Sequence, residues 1–205
     1  MTDTPQRIQK IVHQHVHDAR NSINCLQLEF VWLEHLANEP EIAATVTRMR
    51  VELAELEAAL EFLQVKFSNP KFSIITVEEF MELWKARIAP LESAAHLIAW
   101  SPMVSSAILN LDADAILSVL REIIKKAWQC AEGKILKAGI EIEEDRIMIT
   151  VREPSPRVAM AVDALDEARH IVEMNGGTLC GEQDILTCER VIMMTFAAER
   201  QALEN

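Results

Sequence analysis

Glycine and proline are scarce, at 5 and 7 of 205 residues. No segment is of low complexity, so a mostly ordered chain is expected. Positive charge is also short: 20 Lys and Arg stand against 32 Asp and Glu, a net charge of −12. That balance excludes general nucleic-acid binding, which needs a basic face, and attachment to an anionic membrane surface. No apolar run approaches the roughly 20 residues that cross a bilayer, so neither a pore nor a membrane anchor is expected. The opening MTDTPQRIQK is not followed by the apolar stretch of a secretory signal. A cytoplasmic chain is therefore expected. The four cysteines, Cys25, Cys130, Cys180 and Cys188, include no CxxC pair. In a reducing compartment they read as small buried hydrophobes, without a disulfide or a zinc site.

Hydrophobic residues make up 50% of the chain, enough for a real core, and the length suits one to two domains. The chain divides near residue 69, giving segments 1–69 and 70–205. In the first segment, apolar residues fall at Val12, Val16, Ala19, Ile23, Leu26, Phe30, Leu33 and Ala37, in alternating steps of four and three. A polar break at 37–41 contains Pro40, and proline favours a helix start. The same steps resume at Ile42, Val46, Met49, Leu53, Leu56, Leu60 and Leu63. Two such seams joined by a short turn predict an antiparallel helical hairpin, ended by Ser68-Asn69-Pro70. Cys25, Leu28, Val31 and Trp32 make further faces of the first helix apolar. A lone hairpin does not cover all of this. The strict 3.5-residue period favours a homodimeric four-helix bundle; the other solution folds the second segment back over the seam.

The second segment mixes strands and helices. Phe72–Val77 and His96–Trp100 are short β-like runs, and Glu78–Ile88 is helical. Asp112–Glu132 is a long helix with Asp112 as N-cap and Gly133 as stop. Two strand arms, from Ile140 and from Ile147, flank Glu144-Asp145-Arg146 as a hairpin. Met160–Asn175 is helical and stops at Gly176-Gly177. Thr178–Cys180 and Val191–Phe196 read as the last strands. The class is α+β, with helices on one face of a mixed sheet.

Chemistry concentrates on the first helix. His17, Asn21 and Asn24 follow at i, i+4, i+7 and share one solvent-facing polar stripe. A histidine there has a free imidazole nitrogen. A neighbouring carboxylate, Asp18, can hold the ring's tautomer and take a proton, which makes an imidazole nucleophilic near neutral pH. The plain alternative is an exposed helical histidine, one of six in the chain. His13 and His17, also at i, i+4, have the spacing of a metal pair, but no third ligand accompanies them, so no metal is expected.

His17-Asp18-Ala19-Arg20-Asn21-Ser22-Ile23, early in a helical hairpin and followed by an α+β segment, resembles the dimerisation and phosphoacceptor region of two-component sensor histidine kinases. The resemblance implies that His17 carries a phosphoryl group, that Asp18 assists proton transfer, and that Asn21 positions water or the phosphoryl group. It extends along the chain. Ile75–Phe80 resembles the strand and helix that open the GHKL-type ATP-binding domain, and Leu120–Ala127 resembles its N-box helix. Ile149–Glu153 resembles the strand into the first glycine box. Ala168–Thr178 resembles the last helix and its Gly-Gly turn. The implied fold is a helical hairpin at 1–69, a four-helix bundle on dimerisation, followed at 70–205 by an α/β-sandwich like the histidine-kinase ATPase domain.

The departures matter as much. Lys126 stands where the family has its magnesium-binding Asn. Glu153-Pro154-Ser155-Pro156-Arg157 replaces Asp-x-Gly-x-Gly, whose Asp holds adenine and whose glycines admit the nucleotide. Val162-Asp163-Ala164 replaces a second Gly-x-Gly, and side chains there obstruct backbone contact with phosphate. The few residues between the two remnants leave no room for an ATP lid. A live histidine beside a dead nucleotide site resembles histidine phosphotransferases of the ChpT type. The resemblance then implies a phosphorelay protein with no cofactor or metal of its own. It takes phosphoryl from one response-regulator receiver domain, whose divalent ion it borrows, and gives it to another. A hybrid histidine kinase is a possible source. Arg20, Asn24, Leu28 and Trp32 are candidate phosphoryl or partner contacts, and the apolar patch Leu28, Val31 and Trp32 is either a receiver-docking surface or a contact within the fold. Two other functions stay open: a non-catalytic pseudo-kinase that scaffolds or inhibits a kinase or response regulator, and an active ATP-dependent kinase.

Overall fold

The computed structural model describes residues 3–36, 40–91, 97–102, 105, 107–130, 135–154, 162–184 and 189–198. The chain forms two compact units, Met1–Asn69 and Pro70–Asn205. None of the described helices is long and apolar enough to cross a membrane.

The first unit is a hairpin of α1 (Asp3–Leu36) and α2 (Pro40–Lys66). Val16, Ile23 and Phe30 of α1 are buried, as are Val46 and Leu53 of α2, and Leu60 packs against this cluster. Each large apolar side chain so buried contributes roughly 1.5–3 kcal/mol. The Gln27 amide donates to Glu57 at 2.9 Å, and Arg50 pairs with Glu34 at 2.9 Å. These cross-links run between the antiparallel helices. Only every second seam position is used, however. Leu26, Leu33, Ile42, Met49, Leu56 and Leu63 remain 39–50% exposed.

The second unit contains β1 (Ser73–Thr76), α3 (Val77–Ile88), β2 (Ile98–Trp100), β3 (Ile108–Leu111), α4 (Ala113–Cys130), β4 (Leu136–Glu143), β5 (Arg146–Pro154), α5 (Val162–Met174), β6 (Thr178–Asp184) and β7 (Glu189–Ala197). A five-stranded sheet has the order β2-β4-β5-β7-β6, with β2 parallel to β4 and the other pairs antiparallel. β1 and β3 form a separate antiparallel pair. Alternation along the strands buries Leu136, Ala138 and Ile140 of β4, Ile147, Ile149 and Val151 of β5, and Ile192, Met194 and Phe196 of β7. The helices supply the rest of the core: Phe80, Trp84 and Ile88 of α3, Ile116, Leu120 and Ile124 of α4, and Ile171 and Val172 of α5. The Trp84 ring meets Trp100 edge to face at 5.0 Å.

The expected α+β class holds, with two differences. The strand Ile108–Leu111 was not foreseen, because its partner β1 lies over 30 residues away and its own pattern is too short to show a period. β6 and β7 are longer than their apolar cores. The expected N-cap at Asp112 is present: its Oδ1 accepts from the Ala115 N–H at 3.1 Å, and its Oδ2 from the Lys71 N–H at 2.7 Å. Asn175, buried, accepts from the Asp112 N–H at 2.7 Å and donates to the Ile171 carbonyl at 3.0 Å. At the turn that follows, Gly176 has φ of 73°. A Cβ on Gly177 would lie 2.5 Å from the Phe196 ring. Residues 131–134, 155–161 and 185–188, with the expected Gly133 stop and most of the first glycine-box remnant, lie outside the described residues.

One cysteine expectation fails. Cys25 is exposed, because its position on α1 faces away from the buried row. Cys180 is half-buried and reduced, while Cys188 and the side chain of Cys130 lie outside what is described.

Thr76 and Glu79 close a capping box on α3. The Glu79 N–H donates to the Thr76 hydroxyl at 3.1 Å, and the Thr76 N–H donates back to Glu79 Oε2 at 3.1 Å. The Thr76 backbone N–H first, and its hydroxyl second, hold the Glu79 carboxyl below its ordinary range. A depressed carboxyl pKa stabilises the fold above the unfolded-state value, and this contribution is lost as pH falls through the folded-state value. Urea melts are therefore expected to show Glu79→Gln less stable than wild type at neutral pH, with the gap closing in acid.

Candidate functional site

Three of the sequence-predicted residues meet on α1. His17 and Asp18 stand well out of the surface, with side chains 70% and 59% exposed. His17 Nδ1 lies 3.5 Å from Asp18 Oδ1 and 3.3 Å from the Asn21 amide nitrogen. The two contacts ask for different states of Nδ1. A proton on Nδ1 suits the Asp18 carboxylate and leaves the Nε2 lone pair free for attack, whereas an amide N–H from Asn21 needs the Nδ1 lone pair. The Asn21 amide therefore donates to Nδ1 only in the tautomer with its proton on Nε2, and Asp18 accepts from Nδ1 only when that nitrogen carries a proton.

Asp18 is itself held. The Gln14 amide donates to Asp18 Oδ1 at 3.0 Å, and the Ser22 hydroxyl to the Asp18 carbonyl at 3.2 Å. Gln14 was missed in the sequence, although its i, i+4 spacing to Asp18 was legible. Arg20 is half-buried and lines a concavity of about 350 Å³ that His17 also lines, together with Lys10, His13 and Gln64. Lys10 and Gln64 are not among the sequence-predicted site residues, and His13 entered only as half of a metal pair with His17. Gln64 comes from α2, so only the folded hairpin brings it near.

Asn24 is exposed on the same stripe, with no hydrogen bond to His17. Leu28 and Trp32 are 66% and 73% exposed, and Val31 is exposed beside them. Leu28 follows His17 by 11 residues, three helical turns or about 16 Å along one face. The patch is open within the first unit. Among the described residues no cluster of His, Cys, Asp or Glu is suited to a metal ion.

In the second unit, Lys126 is half-buried on α4. Glu153 is fully buried on β5, on the inward row with Ile147, Ile149 and Val151. It faces Arg190 across the β5–β7 register, with Oε2 3.8 Å from the guanidinium. Val162 to Ala164 form the first turn of α5. The Glu153 carboxylate thus faces a cation of its own chain.

No protein-family model and no curated protein matches the sequence. Solved structures do. Full-length ShkA, in complex with AMPPNP, is similar at a TM-score of 0.67 and 16% identity, over 94% of this chain and 47% of ShkA. The Acinetobacter baumannii histidine kinase AdeS is similar at 0.55 and 15%, over 90% of this chain and 98% of the other. The histidine kinase ThkA, in complex with the response regulator TrrA, is similar at 0.59 and 14%, over 93% of this chain and 61% of ThkA. The chain thus spans about half of ShkA. It has the histidine-kinase fold, a helical region followed by the ATPase-type α/β domain.

Proposed function

We propose that this chain is a histidine phosphotransfer protein of a two-component phosphorelay, of the ChpT type and dimeric. A phosphorylated receiver domain docks beside His17, and the imidazole Nε2 attacks the aspartyl phosphorus in line. The N–P bond forms as the aspartyl O–P bond breaks, and the receiver's carboxylate leaves with the electron pair. Asp18 faces the Nδ1 proton and stabilises the positive ring. Asn21, one helical turn after His17, takes the role of positioning the phosphoryl group or a hydrolytic water. A second receiver then takes the group by the reverse step. The divalent ion that neutralises the transferring oxygens comes with the receiver.

The observation that carries this reading is the exposed His17 whose Nδ1 lies 3.5 Å from the Asp18 carboxylate, which suits a ring with its proton on Nδ1 and its lone pair on Nε2. The buried Glu153–Arg190 pair supports a protein that works without ATP. That ThkA was solved with a response regulator supports receiver domains as partners. The half-used seam of the hairpin supports a second copy as the dimer partner.

The test is transfer of labelled phosphoryl from a panel of phosphorylated receivers, with a parallel arm of labelled magnesium-ATP. Acid-labile, base-stable label from a receiver and none from ATP is expected. Label from ATP alone overturns the reading in favour of a kinase. Receiver binding with no label favours the pseudo-kinase that scaffolds or inhibits its partner, a role the exposed Leu28, Val31 and Trp32 patch also suits.

A further inference from the structure

Among the described residues strand β1 pairs only with β3, in a two-stranded sheet apart from the five-stranded one. The ladder tells which of its groups face outward. The Val77 N–H, just past β1, donates to the Ala107 carbonyl at 3.0 Å. Bonded pairs alternate along an antiparallel ladder, so Ser73 and Ile75 bond to β3 as Val77 does, and the N–H and C=O of Ile74 point the other way. The Thr76 N–H, on the same outer side, is taken by Glu79 at 3.1 Å. An edge of this kind is a template for another strand, and β1 has none of the lysine or proline that usually blunts one.

Beside the edge, a concavity of about 1010 Å³ lies between β1 and α3. Ile74 and Leu83 line it, 72% and 48% exposed. Glu78, Glu79 and Glu82 line it too, all exposed. Lys85 pairs with Glu82 at 2.7 Å, so one ammonium stands against three carboxylates.

We propose that β1 is the docking edge for an extended segment of a partner protein that carries both apolar and basic residues. The segment adds as a third strand and exchanges hydrogen bonds with the N–H and C=O of Ile74. Its apolar side chains cover Ile74 and Leu83, and its lysines or arginines face the glutamates. A second copy of this chain fits worse. Pairing β1 with β1 would bring two acidic rims together, like charge on like. The net charge of −12 adds to the preference for a basic partner. Docking there needs neither His17 nor phosphoryl transfer.

The test is fluorescence anisotropy of the full chain with a labelled, capped nonapeptide in which valine alternates with lysine. Its counterpart with glutamate for lysine is measured beside it. The alternation lets one register set valine over Ile74 whichever way the peptide runs. Saturable binding of the lysine peptide is expected, with the glutamate peptide at least about tenfold weaker. Ile74→Pro removes the outward N–H, and an edge strand tolerates it because that N–H is not bonded to β3. It is expected to weaken binding about tenfold. Leu83→Ser acts similarly through the apolar contact, and the double variant Glu78→Gln, Glu82→Gln through charge. Ile135→Ser, exposed but outside the groove, binds like wild type. Urea melts check that each variant folds. Binding that Ile74→Pro and Leu83→Ser leave unchanged is an effect of net charge and overturns strand addition. No saturation at millimolar peptide overturns the docking edge. Self-association of the wild type that Ile74→Pro abolishes gives the edge to a second copy and overturns the basic partner.

Discussion

A His17→Gln chain takes up no phosphoryl group from any receiver that labels the wild type. The expected fall is at least about a thousandfold, because glutamine keeps the size and polarity of the side chain but has no nucleophilic nitrogen. Receiver binding survives, since His17 is one exposed residue on a long helix. Asp18→Asn is expected to slow transfer by roughly ten- to a hundredfold, at the low end for general acid–base assistance because the carboxylate is in solvent. Lys126→Ala, in the other unit, leaves transfer unchanged. Quenched-flow labelling with acid and base stability of the product reads all three. Label that persists in His17→Gln moves the phosphoacceptor elsewhere and ends the assignment.

The second large effect concerns the hairpin. Leu56→Glu places a carboxylate in the exposed half of the seam, and Leu53→Ala opens a hole in the buried half. The two act differently. Leu53→Ala is expected to cost about 2–5 kcal/mol of folding stability. Leu56→Glu leaves the hairpin folded but weakens self-association by at least about a hundredfold. Two carboxylates, one from each copy, would lose water without gaining a partner. Sedimentation equilibrium of both variants beside the wild type separates the outcomes. A wild type that stays monomeric at high micromolar concentration overturns the dimer and leaves the seam to another part of the same chain.

The hairpin was legible because a 3.5-residue period is a property of the sequence itself: one residue every turn fixes which face is apolar. The same is true of the Asp112 N-cap, whose role depends on a neighbour three residues away. His17, Asp18 and Asn21 were legible for that reason too. Their contacts are i, i+1 and i, i+4 on one helix, and need no tertiary information. What was not legible depends on distant pairing. Strand Ile108–Leu111 is defined only by its ladder with Ser73–Thr76. Gln64 reaches the pocket only because α2 returns alongside α1. Arg190 meets Glu153 only through the register of two strands joined by a long connection. The cysteine expectation failed at Cys25 for a related reason. Average burial of a residue type says little about a single position whose helix face is already assigned by its neighbours.

The Glu153–Arg190 contact ties two distant positions of the sequence together. The Glu153 side chain is fully buried and that of Arg190 is 14% exposed. Taking a charge out of water is costly, and a facing counter-charge offsets part of that cost. Glu153→Asp shortens the arm and draws the carboxylate back from the guanidinium, and Arg190→Leu removes a cation that faces the carboxylate. Groups in contact do not contribute independently, so the double change is expected to cost less than the sum of the two single changes. The two strands are thus coupled through their side chains as well as through their ladder, and a substitution at either position is judged only together with the residue at the other.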